Sequence, residues 1–461
     1  GLATELSWEL GAVQVTSLTS YRDWETGGDL QDIDFFGADG MNTPVVGATA
    51  LQQQAFQEAQ TFSQELRITP LAPDRIDYVI GAFFYDNSLD RFFDRDVGLC
   101  FAPAAPLGGP CAAPFALNNF FSLNVDTQNI SLFGDATIDL NDKWSVIVGA
   151  RALYDELEFE TDTSNGFQGG DTLDDTDIIG RFGFMYDFND RLTSFATYSR
   201  GYKAGAFDAT LEINDAVLQG GPVAPETSDA FEVGLRGLPF QDSNLFIDLS
   251  FFHNSYQDFH VQAFDPEGDG NSRLLNAGEA VTTGVELAIN WPLTEEFTVD
   301  ASAQYLDATF EDFIGASCFP GQTAAQGCMT DAAGRSFQDV SGQTIQNAPE
   351  WKLSFTPRYE RTIANDGRSF GQAAASYQSE VQYSLNQNPL TIQDGYTLVD
   401  LTAGYIAPDD RYRFTLFVKN ATDELYFNSI GGTFVNAPGG TFHIIPRNAE
   451  RTVGAEFSLS F

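Results

Sequence analysis

Hydrophobic side chains recur at every second position through stretches of about ten to fifteen residues, repeated from one end of this chain to the other. In one stretch Trp144, Val146, Val148, Ala150, Ala152 and Tyr154 fall on one side, with Ser145, Gly149, Arg151 and Asp155 on the other. Leu245, Ile247, Leu249 and Phe251 alternate with Asp248 and Ser250, and Val281, Thr283, Val285, Leu287 and Ile289 with Gly284, Glu286 and Asn290. A period of two marks an extended strand, and its two faces here are written for different solvents, one apolar and one aqueous. Soluble sandwiches alternate as well, but their strands are typically about five or six residues long. A strand that crosses a bilayer needs roughly nine to eleven tilted residues and can project beyond it. No apolar run approaches the roughly 18 residues of a membrane helix, and the longest, from Val79 to Tyr85, is strand-sized. The pattern predicts an all-β fold, a transmembrane antiparallel β-barrel of the outer-membrane type.

Composition supports the same class. Phe, Tyr and Trp make up 13% of the 461 residues, while charged residues reach 19%, below the roughly 25% of an ordinary soluble domain. Aromatics gather where strands meet turns, as at Phe83, Phe84 and Tyr85, at Phe182, Phe184 and Tyr186, and at Tyr396, Tyr405 and Tyr412, which suits girdles at the two membrane interfaces. With 23 basic against 65 acidic side chains the net charge is −42, which excludes a partner bound through phosphate contacts and therefore nucleic acid. Catalysis finds no support: the G-x-S-x-G, H-E-x-x-H and G-x-x-x-x-G-K-[ST] patterns are absent. A Ser/His hydrolase would have to use His253 or His260, which lie seven residues apart and so on opposite faces of one strand; His260 is expected at a loop edge.

Short turns are predicted at Gly11, 72–75, 141–143, 189–191, 292–296, 364–367 and 408–410, and long outward connections at about 25–57, 89–123, 206–226, 313–347 and 428–448. The strand count is about 17, with short hairpins between Phe264 and Asn276 ambiguous. Single-chain bacterial barrels close with an even number of strands, so an odd count predicts a single barrel domain over 1–461 that is incomplete at its N-terminal side. Cys100 with Cys111 and Cys318 with Cys328 form two local pairs in outward connections. Loop disulfides are the favoured outcome, with metal binding the alternative. The segment from Asp265 to Asn271 offers oxygen ligands and glycines that would suit Ca²⁺, but without the spacing of a twelve-residue calcium loop, so no metal or other cofactor is assigned.

Several segments carry a resemblance. The C-terminus has Gly454, Phe457, Leu459 and Phe461 in an alternating strand with a terminal aromatic, which resembles the signal that outer-membrane barrels present to the barrel-assembly machinery. Ser199-Arg-Gly-Tyr-Lys203-Ala-Gly205, Ala224-Pro-Glu226-Thr-Ser-Asp-Ala-Phe-Glu232-Val-Gly234, Asn276-Ala-Gly278-Glu-Ala-Val-Thr-Thr-Gly284-Val-Glu286 and Phe417-Val-Lys-Asn420-Ala-Thr-Asp423-Glu-Leu-Tyr426 together resemble the barrel of TonB-dependent receptors. That resemblance implies a 22-stranded barrel, five strands more than the count here, plugged by an N-terminal globular domain. It also implies residence in the bacterial outer membrane as a monomer among lipid, and import of a scarce small-molecule ligand driven by the TonB complex through the plug, most often a ferric siderophore. An oligosaccharide, cobalamin or another nutrient, or passive diffusion through an unplugged pore, are the alternatives. No plug or TonB-contacting segment is recognisable in these residues.

Alternation places Arg151, Glu232, Arg236, Asp248, Glu286, Asp300, Asp400, Arg413 and Glu456 on the aqueous face, where they would either dock a plug through ion pairs or line a hydrated pore. Ligand contacts are expected among aromatic and cationic residues of the outward segments: Arg91, Phe92, Phe93, Arg95, Tyr202, Lys203, Arg273 and Arg335.

Overall fold

The structure, a computed structural model, describes residues 1–27, 31–32, 47–100, 114–163, 166, 168–207, 222–264, 272–332, 334, 336–363, 366–432, 441–447 and 449–460. The strands are β1 (Leu2–Leu10), β2 (Val13–Gly27), β3 (Gln31–Asp32), β4 (Gly47–Pro70), β5 (Ile76–Cys100), β6 (Pro114–Asn141), β7 (Trp144–Thr163), β8 (Gln168–Asn189), β9 (Leu192–Lys203), β10 (Glu226–Gly237), β11 (Phe246–Phe264), β12 (Ser272–Pro292) and β13 (Phe297–Asp312). There follow β14 (Ile314–Ser317), β15 (Met329–Thr330), β16 (Ser336–Asp339), β17 (Trp351–Thr362), β18 (Arg368–Gln378), β19 (Val381–Gln382), β20 (Ile392–Gln393), β21 (Tyr396–Ile406), β22 (Tyr412–Lys419), β23 (Ser429–Gly432), β24 (Thr441–Ile444) and β25 (Thr452–Leu459). Seventeen long strands and the two-residue β3 join one sheet, in agreement with the count from periodicity. No helix among the described residues is long and apolar enough to cross a membrane.

Contacts divide the chain into two compact units. The first comprises Gly1–Ala136, Gly149–Gly180 and Tyr202–Pro225; the second comprises Thr137–Val148, Arg181–Gly201 and Glu226–Phe461.

Side-chain hydrogen bonds shape the short turns. Asn141 Oδ1 accepts from the Lys143 and Trp144 amides, and Asn189 Oδ1 accepts from the Arg191 amide, so two Asn-Asp-basic turns use the same device. Thr294 Oγ1 does likewise for Glu296 and Phe297. Gly11 takes φ +67° in the two-residue connection between Leu10 and Val13, a conformation glycine adopts without a Cβ clash.

The long connections depart from expectation. β4, β5 and β6 run to 24, 25 and 28 residues, so the described residues of 25–57 and 89–123 are strand rather than loop. The β4–β5 ladder holds from Ile68 opposite Ile80 out to Gly47 opposite Cys100. At about 3.3 Å per residue these arms reach roughly twice the thickness of a bilayer core. Beyond the membrane the backbone still gains by pairing, while the side chains no longer need an apolar face, so the sequence loses its alternation before the strand ends. Of the ambiguous stretch from Phe264 to Asn276, the described residues pair as the ends of β11 and β12, with Phe264 opposite Ser272.

Directly opposed residues of an antiparallel ladder share a face, so register transfers the assignment from strand to strand. In the second unit Ile247 stands opposite Ile289, then Ala301, Phe355, Ala375 and Val399, all apolar. Phe251, Phe355, Leu401, Phe414 and Leu416 on this face are 42–51% exposed as large hydrophobic side chains, the surface a lipid environment would cover. Phe182 and Phe184 lie edge to face, and Trp144, Tyr186 and Phe188 form a second aromatic chain near a short turn, as girdles would.

Two aromatic assignments are corrected. Phe83 and Tyr85 share the opposite face of β5 from Phe84, because three consecutive strand residues cannot all point to lipid. Tyr396 lies on the polar face, opposite Gln378. His260 is likewise not at a loop edge: it sits inside β11 opposite Asn276 and is buried.

Above the second unit's ladders, β14, β15 and β16 make a small separate sheet tied by the Cys318–Cys328 disulfide. Phe310, Phe313, Val261, Ala277, Ala316 and Val340 pack beneath it as a buried cluster. The Gln338 amide nitrogen donates to the Ser317 and Asn386 carbonyls and its oxygen accepts from Gln322, so three segments close over these rings.

Candidate functional site

Polar residues of the second unit converge by the same register rule. Arg236 faces Asp248, Asp248 faces Ala288, and Ser250 faces Glu286. Glu286 then faces Gln304, which faces Lys352, and Asn290 faces Asp300. On the last strands Thr402 faces Phe417, Ile406 faces Arg413, and Thr415 faces Glu456; Asp400 shares the side of Thr402 and Ile406. Thus Glu232, Arg236, Asp248, Glu286, Asp300, Asp400, Arg413 and Glu456 lie on one face, as alternation predicts.

A cavity of about 560 Å³ opens on this face, lined by Glu232, Arg236, Asp248, Glu286, Lys352 and Tyr396 among others. Some charges of this face, within the cavity and beyond it, are already matched. Arg236 Nε donates to Asp248 at 2.8 Å, and the Asn290 amide donates to Asp300 at 2.6 Å. Asp400 accepts from the Asn420 backbone amide at 2.8 Å. Glu286 and Lys352 stand two strands apart with Gln304 between them, leaving a carboxylate and an ammonium spaced for a polar surface laid against the wall.

Arginines on this face rest on aromatic rings. Arg358 and Arg413 approach the Phe370 ring from 4.4 and 4.8 Å, and a Cβ on Gly404 would come within 2.7 Å of that ring, so only glycine leaves it room. Gly454, noted for its place in the last strand, has the same role beneath Phe417. In the first unit Arg151 lies 5.4 Å from the Phe83 centroid and 5.9 Å from that of Phe133, and reaches Asn129 at 3.4 Å. Ring and glycine together fix a cation that would otherwise sample many rotamers.

The expected ligand contacts do not form one group. Phe93 is buried with Phe121, Leu123 and Phe159, and the Arg91 guanidinium lies 5.5 Å from the Phe121 centroid. Phe92 points to the other face of β5 and stacks on Phe120. Tyr202 donates to Asp175 at 2.9 Å, and Lys203 is exposed. A second cavity, about 670 Å³, is lined in this unit by Phe56, Asp90, Arg91, Phe92, Glu160 and Asp162 among others. Arg335, Cys111 and Phe461, the segment 265–271, and the side chains of Arg95, Cys100 and Arg273 lie outside the described residues.

Sequence reasoning did not assign Lys352, Gln304 or the stacked pair Tyr396–Tyr426, whose rings are 4.9 Å apart, to this site. Lys352 follows Trp351 in an apolar-polar alternation that could have flagged it; Tyr396 carries no such signal, since an aromatic suits either face.

The sequence matches the TonB dependent receptor-like β-barrel family over residues 2–421. The chain belongs to that family. Its members are outer-membrane transporters rather than enzymes. Among curated relatives, the probable TonB-dependent siderophore receptor PiuA of Acinetobacter baumannii is 26% identical over 304 residues, 61% of this chain and 38% of that protein. The metal-pseudopaline receptor CntO of Pseudomonas aeruginosa is 26% identical over 207 residues, 44% of this chain and 27% of that protein. Among solved structures, the ferric yersiniabactin uptake receptor FyuA of Yersinia pestis superposes with a TM-score of 0.71 at 16% identity, covering 99% of this chain and 60% of FyuA. The chain therefore spans less than two thirds of the length of each.

Proposed function

We propose that this TonB-dependent receptor barrel serves energy-coupled import of a ferric siderophore. The observation that carries the reading is that relatives such as PiuA, CntO and FyuA are named for siderophores or metallophores. The polar face of the second unit supports it: Glu232, Arg236, Asp248, Glu286, Asp300, Asp400, Arg413 and Glu456 offer both signs of charge to a globular plug, and several are pre-positioned by neighbours. A plug held this way has to release those contacts when TonB pulls on it, and partly hydrated ion pairs of modest strength suit that better than an apolar seal.

The test is uptake of iron-55 by iron-limited cells carrying or lacking the gene, with TonB intact or deleted. Loss of uptake of at least one ferric chelate in both deletions is expected. Unchanged uptake, with a defect for cobalamin or an oligosaccharide instead, would move the receptor to another nutrient. Uptake that persists without TonB would favour passive diffusion. The last strand, with Phe457 65% and Leu459 50% exposed, is read as the segment offered to the assembly machinery. Deleting Phe461 should lower the amount of heat-modifiable barrel; normal amounts would remove that role.

A further inference from the structure

The cavity on the polar face of the second unit has two unlike ends. Register runs one row across it: Ser250 faces Glu286, which faces Gln304, then Lys352, Gln378 and Tyr396. Height along the row is read from the other face of the same strands. Trp351 and Tyr359 share the parity of Phe355 and are 41% and 43% exposed, and Trp351 rests against Tyr305 with ring centroids 4.9 Å apart. The nine residues from Trp351 to Tyr359 match the roughly nine to eleven that cross the hydrocarbon, so these rings mark its two edges. Trp351 opens β17 after a long outward connection and is the outer edge. Lys352, the next residue, stands at that height on the polar face. Tyr396 likewise opens β21 from the outward side.

The chemistry changes with height. Arg236, beside the connection from β10 to β11, is matched by Asp248 at 2.8 Å. Lys352 at the outer end is exposed and forms no ion pair among the described residues. Two strand spacings away, about 10 Å across the sheet, Tyr396 lines the same cavity. Tyr396 is half-buried and is backed by Tyr426, whose ring is inclined to it by 21°. The residue after Tyr426 is pinned: the Phe427 amide donates to Gln393 at 3.1 Å, and the Phe427 carbonyl accepts from the Tyr383 phenol at 2.7 Å. Asn420 ties the base of the same connection, donating to the Glu424 and Ala449 carbonyls at 2.8 and 2.7 Å. A ring that served packing alone would be covered. This one stays open to the cavity and is already held, so little ordering remains to be done on binding.

We infer that the outer end of this 560 Å³ cavity is a subsite for an aryl ring bearing an ionised oxygen, the ring against Tyr396 and the oxygen towards Lys352. The inference rests on the import reading above and narrows it to ferric chelates built from phenolate or catecholate groups. A flat ring gains from pairing with another ring in a way that an aliphatic arm does not. An ammonium on a flexible four-carbon stem complements an acidic oxygen carried on that ring. The volume falls within the roughly 300–1,000 Å³ of small-molecule sites.

Two measurements test it. The first is saturation-transfer NMR of iron-free 2,3-dihydroxybenzoate with full-length receptor in lipid nanodiscs, against cyclohexanecarboxylate, which keeps the charge and lacks the aromatic ring. The aryl acid should bind about fivefold more tightly, and Tyr396→Leu should remove that preference while Tyr396→Phe keeps it. Lys352→Gln should weaken the aryl acid about threefold at low salt. Heat-modifiability of each variant checks that the barrel is folded. No binding of the aryl acid, equal binding of the two acids, or a preference that survives Tyr396→Leu would overturn the subsite. The second measurement is uptake of iron-55 by iron-limited cells from a ferric tricatecholate and from an aliphatic ferric trihydroxamate. Uptake from the tricatecholate is expected to exceed that from the trihydroxamate, and Tyr396→Leu should narrow the gap. Equal or greater uptake from the trihydroxamate would overturn the aryl rule while leaving ferric import standing. Uptake from neither, together with no iron defect on deletion, would remove the ferric reading, and binding of the iron-free acid would then decide the subsite alone.

Discussion

Phe310 and Phe313 in the second unit and Phe121 and Phe159 in the first are all at most 3% exposed, yet their surroundings differ. Over Phe310 lies a second layer of chain: a three-stranded sheet, a disulfide, and Gln338 joining three segments through its amide. Beside Phe121 and Phe159 lies a cavity with charged walls, and the nearest cation, Arg91, is held against a ring. Burial of a ring does not by itself close a surface. What closes one is a segment whose own backbone groups are satisfied, which here needs the hydrogen bonds of Gln338 and the cross-link.

The sharpest way to break this contrast is to remove a ring from each cluster. Phe310→Ala should destabilise its arm by about 3–5 kcal/mol in urea titration of the receptor in lipid vesicles. Phe159→Ala should fall at the lower end of that range, because the adjoining cavity gives its neighbours room to relax. Equal costs would mean that the two clusters are packed alike. Replacing Cys318 and Cys328 by serine should come next, at about 2–3 kcal/mol for a short loop. Hydrogen exchange should quicken across 314–339 and remain unchanged across 155–177; a change in both would show that the covering layer is not local. Arg151→Ala should cost about 1 kcal/mol, the scale of a cation over aromatic rings, and Arg151→Lys should recover only part of it.

The smallest effect should be one of pH. Hydrogen bonds from Ser341 hold the Asp339 carboxyl below its ordinary value. A depressed carboxylate stabilises the folded state above its unfolded pKa, and that contribution is lost as pH falls through the folded one. Exchange protection around 336–341 should therefore be flat above about pH 5 and decline only below about pH 4. A loss that begins near neutral pH would point to another group.

Much of the site was legible because strand parity is unforgiving. Once Asp248 is polar and Ile247 apolar, every directly opposed residue inherits a face, and eight charged positions of the second unit fell where alternation put them. Parity could not tell where pairing stops, so the arms of β4, β5 and β6 were read as loop. Nor could it assign an aromatic that suits either solvent, so Phe83 and Tyr396 were given to the wrong face and Phe92 was grouped with Arg91.

By itself the sequence determined the fold class, the strand count, the two solvents and the acidic net charge. These depend on patterns a few residues long, or on charge, which needs no contact to be counted. The tertiary structure alone decided which cations rest on which rings, which carboxylates stay uncompensated and which aromatic cluster is covered. Those outcomes depend on register between strands far apart in the chain, and no local period encodes which residue will stand opposite another.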